Sequence, residues 1–313
     1  FSYNLEMLSE DSSIQAEDLL GQNVAIRVNL SGGGERYFNG HVTRFAHTGH
    51  FEHVSTYKAT VRPWVWFLTR TTDCRIFQDR AVPDIIKEVL RENGYTDFQD
   101  RLSRSYRTWA YCVQYRETDF DFLSRLMEQE GIYYFFSHER SKHTLVLCDE
   151  VSALETVPGY EEVPFYPRDS TAVRSEEYIY AWSVVKQIEP GAYVLEEYDF
   201  EKPKAELRVQ RAMPKSHAEA DREIFDYPGE YLSVGEGDDY VRTRIEEIQA
   251  EYEQTQAQGN TRGLFPGGLF KLRNNPREDQ NREYLIIAAT HSMALDPYAS
   301  YGPGHAGGGP VYG

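Results

Sequence analysis

The sequence predicts a mainly β chain with an α/β segment set into it, an α+β arrangement, on three observations. Apolar and polar residues alternate in short runs at both ends of the chain. Between and among those runs the period switches to that of a helix in three places, with cap and stop residues beside them. Aromatic residues reach 14%, with 23 Tyr and 16 Phe, and these types favour strands. A chain of 313 residues buries a substantial core and has room for more than one unit.

From Phe1 to about Thr69, "FSYNLEML", "NVAIRVNL", "RYFNGHVTRFAH" and "TYKATVRPWVWFL" read as four or five antiparallel strands. "SGGGE" is a hairpin turn whose glycines supply positive φ, and "WVW" places Trp64 and Trp66 on one face of a strand. At Arg70 the period changes. "DRAVPDIIKEVLRENGY" lines up Val82, Ile85, Ile86, Val89 and Leu90 on one stripe, with Asp79 as the expected cap, Pro83 in the first turn and Gly94 as the stop. In "VQYRETDFDFLSRLMEQEGIYYFFSH", Thr118 and Asp121 have capping-box spacing and Gly131 ends a helix from about Asp119 to Glu130. "IYYFFSH" and "HTLVLCDE" follow as a hairpin. Pro158, Pro164 and Pro167 mark a linker-like stretch, and strands resume in "EEYIYAWSVVKQIEPGAYVLEEYDFEKP", with "EPG" as a turn between two runs. "DDYVRTRIEEIQAEYEQTQAQG" predicts a third helix on Val241, Ile245, Ile248 and Tyr252, before the strands "GLFPGGLFKL" and "REYLIIAATHSMAL".

A net charge of −17 repels phosphate backbones and anionic lipid, which argues against nucleic acid as a partner. The longest apolar runs, such as "YLIIAA", fall far short of the roughly 20 residues a membrane helix needs. Cys74, Cys112 and Cys148 lie too far apart for a CxxC pair or a disulfide framework and read as reduced thiols. The chain opens already in strand pattern, so it is expected to lack its true N-terminus.

Candidate chemistry is sparse. Asp119 and Asp121 are two apart on a helix, on different faces, and capping accounts for them. His47, His50 and His53 recur every third residue, but no Cys or acidic cluster nearby completes a metal site, and a surface turn is the preferred reading. His138 and His143 flank a hairpin turn and are expected at the surface. The cysteines have no adjacent base and read as buried or half-buried thiols. Trp64, Trp66, Trp109 and Trp182 read as core first and as a protein-binding face second. No GxSxG, GxxxxGK[ST] or HExxH pattern occurs. Catalytic, cofactor-binding and metal-ligating residues are therefore assigned as none, and no cofactor is expected.

The blocks "RPWVWFLTRTTDCRIFQ", "VPDIIKEVL", "YCVQYRETDFDFLSRLMEQEGIYYFF", "HTLVLCDE", "YDFEKP" and "NREYLIIAATH", in this order, closely resemble the N-terminal hub region of the VgrG family. These are trimeric spike proteins of bacterial type VI secretion systems, similar to the fused hub and spike of contractile phage tails. The resemblance spans residues 1 to about 295. It implies a phage-tail-hub-like fold of two antiparallel β-barrels with an inserted α/β subdomain. Residues 1–69 would form the first barrel, N-terminally incomplete, and 70–165 the insertion, with helices near 80–93 and 119–130. Residues 166–295 would form the second barrel, including a helix near 238–257, and 296–313 a Gly/Pro-rich linker.

The resemblance further implies a structural hub, not an enzyme. A homotrimer would cap the hexameric Hcp tube with pseudo-sixfold symmetry, bind baseplate components and effectors or adaptors, and help deliver effectors. It would assemble in the bacterial cytoplasm and be secreted on sheath contraction to the extracellular space or into target cells, without stable membrane insertion of this region. The family's OB-fold, β-helix needle and any effector domain would lie C-terminal to it, with any effector activity there. Two alternatives stand beside this one: the tail hub of a contractile phage or phage-like particle, and a carboxylate-dependent cell-wall hydrolase, which needs an acid and a base in one cleft.

Overall fold

Alternation in the first 62 residues folds into a four-stranded antiparallel sheet in the computed structural model, which describes residues 1–51, 53–168 and 174–294. Its strands are β1 (Tyr3–Ser9), β2 (Asn23–Asn29), β3 (Glu35–Phe51) and β4 (Val54–Arg62), in the order β1-β4-β3-β2. Tyr3, Leu5 and Met7 turn to one side and pack on Val42, Ala59 and Val61, as period-2 pleating requires. Gly33 and Gly34 take φ of 88° and 94° in the turn between β2 and β3, a conformation open to glycine at little cost. Among the described residues β1 and β2 end the sheet, so its pairing makes half of a barrel and does not close one.

Pro63 has no N–H to continue the ladder, and the chain leaves the sheet there. Residues Trp64–Arg70 form a 3₁₀ helix, not the strand expected for "WVW". Trp64 is buried and stacked on Tyr95 at 4.6 Å, whereas Trp66 stays half-buried between the guanidinium groups of Arg62 and Arg70.

The α/β segment pairs β5 (Thr72–Phe77) with the strand Cys112–Thr118 and sets two helices beside that ribbon. Helix α1 (Val82–Glu92) buries Val82, Ile85, Ile86, Val89 and Leu90. Its N-cap is Ala81, without a side-chain bond, and Asp79 sits in the preceding turn at φ 52°, so Asp79 is not the cap. Helix α2 (Asp119–Glu130) starts on Thr118, whose hydroxyl accepts the Asp121 amide at 3.0 Å, and stops at Gly131 with φ 67°. The hairpin Tyr133–His138 and His143–Cys148 follows, with Phe98–Arg101 parallel on its far side. Every residue of His143–Cys148 is buried because strands flank it on both sides.

Beyond residue 150 the β structure divides among small sheets. Ile179–Lys186 pairs with Glu253–Gly259, and Ala192–Leu195 lies between Val209–Ala212 and Glu223–Asp226. Helix α3 (Val234–Ala250) covers the latter sheet through Tyr240, Val241 and Ile245. The runs on either side of "EPG" thus enter different sheets. The third helix begins earlier and ends earlier than its periodicity predicts, because the polar run from Glu253 is taken up as a partner strand. The stretch read as linker contributes Val157, Tyr160 and Val163 to a core and Glu162–Pro164 as a parallel neighbour of Gly268–Arg273. The fold is mainly β with few helices. The expected linker 296–313 lies outside the described residues.

Candidate functional site

The residues singled out for chemistry are spread through the fold. His47 lies 5.1 Å from the Tyr57 ring, His50 bonds the Ser55 hydroxyl at 3.1 Å, and His53 is exposed in the turn. Among the described residues no three His, Cys, Asp or Glu side chains gather as metal ligands. Asp119 is buried, and its carboxylate takes the Arg75 guanidinium, the Gln114 amide at 2.8 Å and the Asn93 amide at 3.0 Å. Asp121 accepts the Thr118 hydroxyl at 2.7 Å. Cys112 and Cys148 are buried, and burial pushes both thiols up; Cys74 is exposed, against the expectation of a buried or half-buried thiol. Trp109 and Trp182 are partly buried and donate to Glu130 and Gln280 at 3.3 and 3.2 Å. His138 and His143 are not at the surface: the hairpin carrying them leans on β3, which leaves His138 half-buried and His143 1% exposed.

The surface carries a further feature. In the ribbon of β5 and Cys112–Thr118, Cys74 lies opposite Tyr115 and Ile76 opposite Val113, so pleating puts all four on one side. Ile76 is 59% exposed and Tyr115 64%, with Val113, Cys74 and the adjoining Tyr111 also exposed. An apolar face of this kind marks an interaction site more often than chance exposure does.

The other side of the ribbon explains why that face is held out. Arg75 donates to Gln114 at 2.8 Å, to Glu92 on α1 at 2.7 Å and to Asp119 on α2, so one guanidinium fastens the ribbon to both helices. Removing one partner from such a buried pair costs about 3–5 kcal/mol. Further large apolar side chains are exposed between residues 198 and 234, led by Phe200 at 80% and Leu232 at 70%.

A second buried polar contact seats α2 against α3. Glu130 accepts the Tyr240 hydroxyl at 2.9 Å and the Trp109 indole at 3.3 Å, while Arg104 donates to the Glu130 carbonyl at 2.6 Å. Burial pushes the Glu130 carboxyl up, against the pull of those bonds and of Arg107. Every named partner is a donor, so the carboxylate acts as a strut. At Gly131 a Cβ would come within 2.6 Å of the Thr243 methyl, so glycine satisfies both the left-handed turn and the close approach of α3. An open cleft of about 280 Å³ lies alongside, lined by Arg125, Glu128, Gln129, Tyr240 and Arg244. In the sequence Glu130 is named only as a helix end, and Arg75, Gln114 and Tyr240 are not singled out. The one usable signal was the alternation of "CVQYRET", which puts Cys112 and Gln114 on one side and Val113 and Tyr115 on the other.

The family model described as phage tail baseplate hub (GPD) matches residues 1–297. Type VI secretion system spike protein VgrG1b of Pseudomonas aeruginosa is 48% identical over 304 residues, covering 97% of this chain and 41% of that protein. VgrG1a of the same organism is 46% identical over 307 residues, covering 98% and 47%. The chain thus spans less than half the length of these relatives. Among solved structures, the E. coli c3393 protein is described as a component of the type VI secretion system with structural similarity to the T4 tail proteins gp27 and gp5. It matches with a TM-score of 0.66 at 21% identity, covering 91% of this chain and 63% of that one. The 43 kDa tail protein of prophage MuSo2 from Shewanella oneidensis gives 0.58 at 14% identity, covering 91% and 84%. Similarity at these two identities is similarity of fold.

Proposed function

We propose a function from one premise: this chain belongs to the phage tail baseplate hub family. It is the structural hub of a type VI secretion spike, with no reaction of its own. The family model is shared by phage tail hubs, and the 48% identity to a secretion spike protein favours the secretion reading over the tail hub of a contractile phage.

Three copies form a ring in this reading. Each brings two β units, residues 1–69 and 166–295, around the insertion of residues 70–165. Six similar units then face the hexameric Hcp tube, and the hub adapts threefold to sixfold symmetry. It assembles in the bacterial cytoplasm with baseplate components, and sheath contraction carries it outward with its effectors. Assembly by shape needs rigid supports and outward apolar faces. The observation that carries this is the ribbon face of Ile76 and Tyr115, fastened from behind by Arg75.

Light scattering over a range of concentrations tests the reading. A species of three times 36.2 kDa, about 109 kDa, is expected. Ile76→Lys with Tyr115→Lys is expected to return the mass to that of one chain without loss of the fold. A stable dimer would count against the threefold model, and a monomer at every concentration would remove these residues from the ring contact.

A further inference from the structure

Two histidines, His143 buried and His138 half-buried, join the N-terminal sheet to the insertion, and assembly by apolar faces makes no use of them. The Trp64 amide donates to His143 Nε2 at 2.9 Å, so the ring proton sits on Nδ1 and is donated to Asn39 Oδ1, also at 2.9 Å. The Asn39 amide donates to His138 Nδ1 at 3.1 Å, so Nε2 carries the proton and donates to the Tyr3 hydroxyl at 3.2 Å. Asn39 is fully buried and exchanges bonds with Asn23 at 3.0 and 2.8 Å. Each imidazole therefore spends its one lone pair on a backbone N–H.

Protonation of either ring would set an N–H against an N–H, and among the described residues no carboxylate pairs with either ring. The groups facing the rings are Tyr3 from β1, and Arg36 and His41 from β3. The two imidazoles also face each other, with centroids 6.0 Å apart, and Trp64 and Phe136 close the remaining sides. Arg36 in turn touches His291 at 3.4 Å and carbonyls of residues 262 and 264. Burial pushes His138 down to about 4 and His143 to about 3, and the neighbouring cation and imidazoles act in the same direction.

We propose that this seam is an acid-sensitive joint, locking the N-terminal sheet to the insertion at neutral pH and opening as the two imidazoles take up protons. The sign follows from the ring values. Histidine ordinarily titrates at 6.5, and both rings lie below that in the closed seam, so the open seam binds protons first. The lock has full strength above pH 6.5 and loses it as pH falls towards the closed-state values, up to about tenfold per pH unit and per ring. From pH 7.5 to 5.5 the opening equilibrium is expected to rise on the order of a hundredfold.

Hydrogen exchange of the whole chain at those two pH values, corrected for the intrinsic rate, measures this at the Asn39 and Trp64 amides. Their protection should fall on the order of a hundredfold while Phe122–Met127 in α2 keeps its own. In a His138→Asn, His143→Gln variant an amide oxygen replaces each accepting nitrogen, and protection at the two amides should be the same at both pH values. Unchanged protection in the parent chain, or an equal loss in the variant, would overturn the proposal. If the variant does not fold, titration of ¹³C-labelled histidine in the parent decides: rings that stay neutral until the two amides open support the joint, and rings that titrate near 6.5 with the amides still protected refute it.

Discussion

Glu130 is a carboxylate whose cost and use can be separated by substitution. It is 6% exposed, and burial holds its carboxyl above the usual range while Tyr240 and Trp109 donate to it. Because the folded value lies above the unfolded one, the contribution of Glu130 to stability is fullest below the unfolded value and is lost as pH rises through the folded one. Glutamine keeps an acceptor for both donors without the charge. Glu130→Gln is therefore expected to leave stability at pH 7 unchanged or raise it by up to about 1 kcal/mol, and to flatten its pH dependence. Glu130→Ala leaves two donors unpaired and should cost about 1–3 kcal/mol. Urea midpoints at pH 5 and pH 7 check both, and a loss for Gln as large as that for Ala would show that Arg104 and Arg107 need the charge. Contacts of this kind escape sequence reading for a plain reason: Glu130 and Tyr240 are 110 residues apart, and neither breaks the local pattern of its own helix.

Elements differ in how far their own residues decide them, and α2 is decided almost locally. The Thr118 hydroxyl both accepts from the Asp121 amide and donates to its carboxylate, so Thr118→Ala should cost about 1 kcal/mol and speed exchange of the first-turn amides. A loss below a few tenths would mean that packing alone holds the helix. Cap, stripe and stop were legible here, as was the stripe of α1, because each acts within a few residues. The run Glu253–Gly259 was not: its polar residues continue the preceding helical reading, and only pairing with Ile179–Lys186 makes it a strand. "WVW" alternates like a strand, but Pro63 ends the ladder one residue earlier. The apolar ribbon falls between these cases. Alternation in "CVQYRET" gives two faces, and which one meets solvent is settled by Arg75, Glu92 and Asp119, drawn from three segments.

For the whole molecule the deciding quantity is charge. Each copy carries −17, so copies that meet do so against a repulsion that depends on ionic strength. The screening length shrinks from about 30 Å at 0.01 M salt to about 8 Å at 0.15 M, so added sodium chloride removes most of the long-range repulsion while leaving apolar contacts in place. If copies join through faces such as Ile76, Val113 and Tyr115, association should strengthen as salt rises, by roughly tenfold in apparent affinity over that range. If they join through pairs of opposite charge, the same salt should weaken association. Mass measured by light scattering at one protein concentration across a salt series separates the two, since only the sign of the slope is needed. The Ile76→Lys, Tyr115→Lys variant supplies the control. It lowers the negative charge of each copy and so eases the repulsion, yet it should still fail to associate at high salt, because the apolar face that screening lets into contact is no longer there.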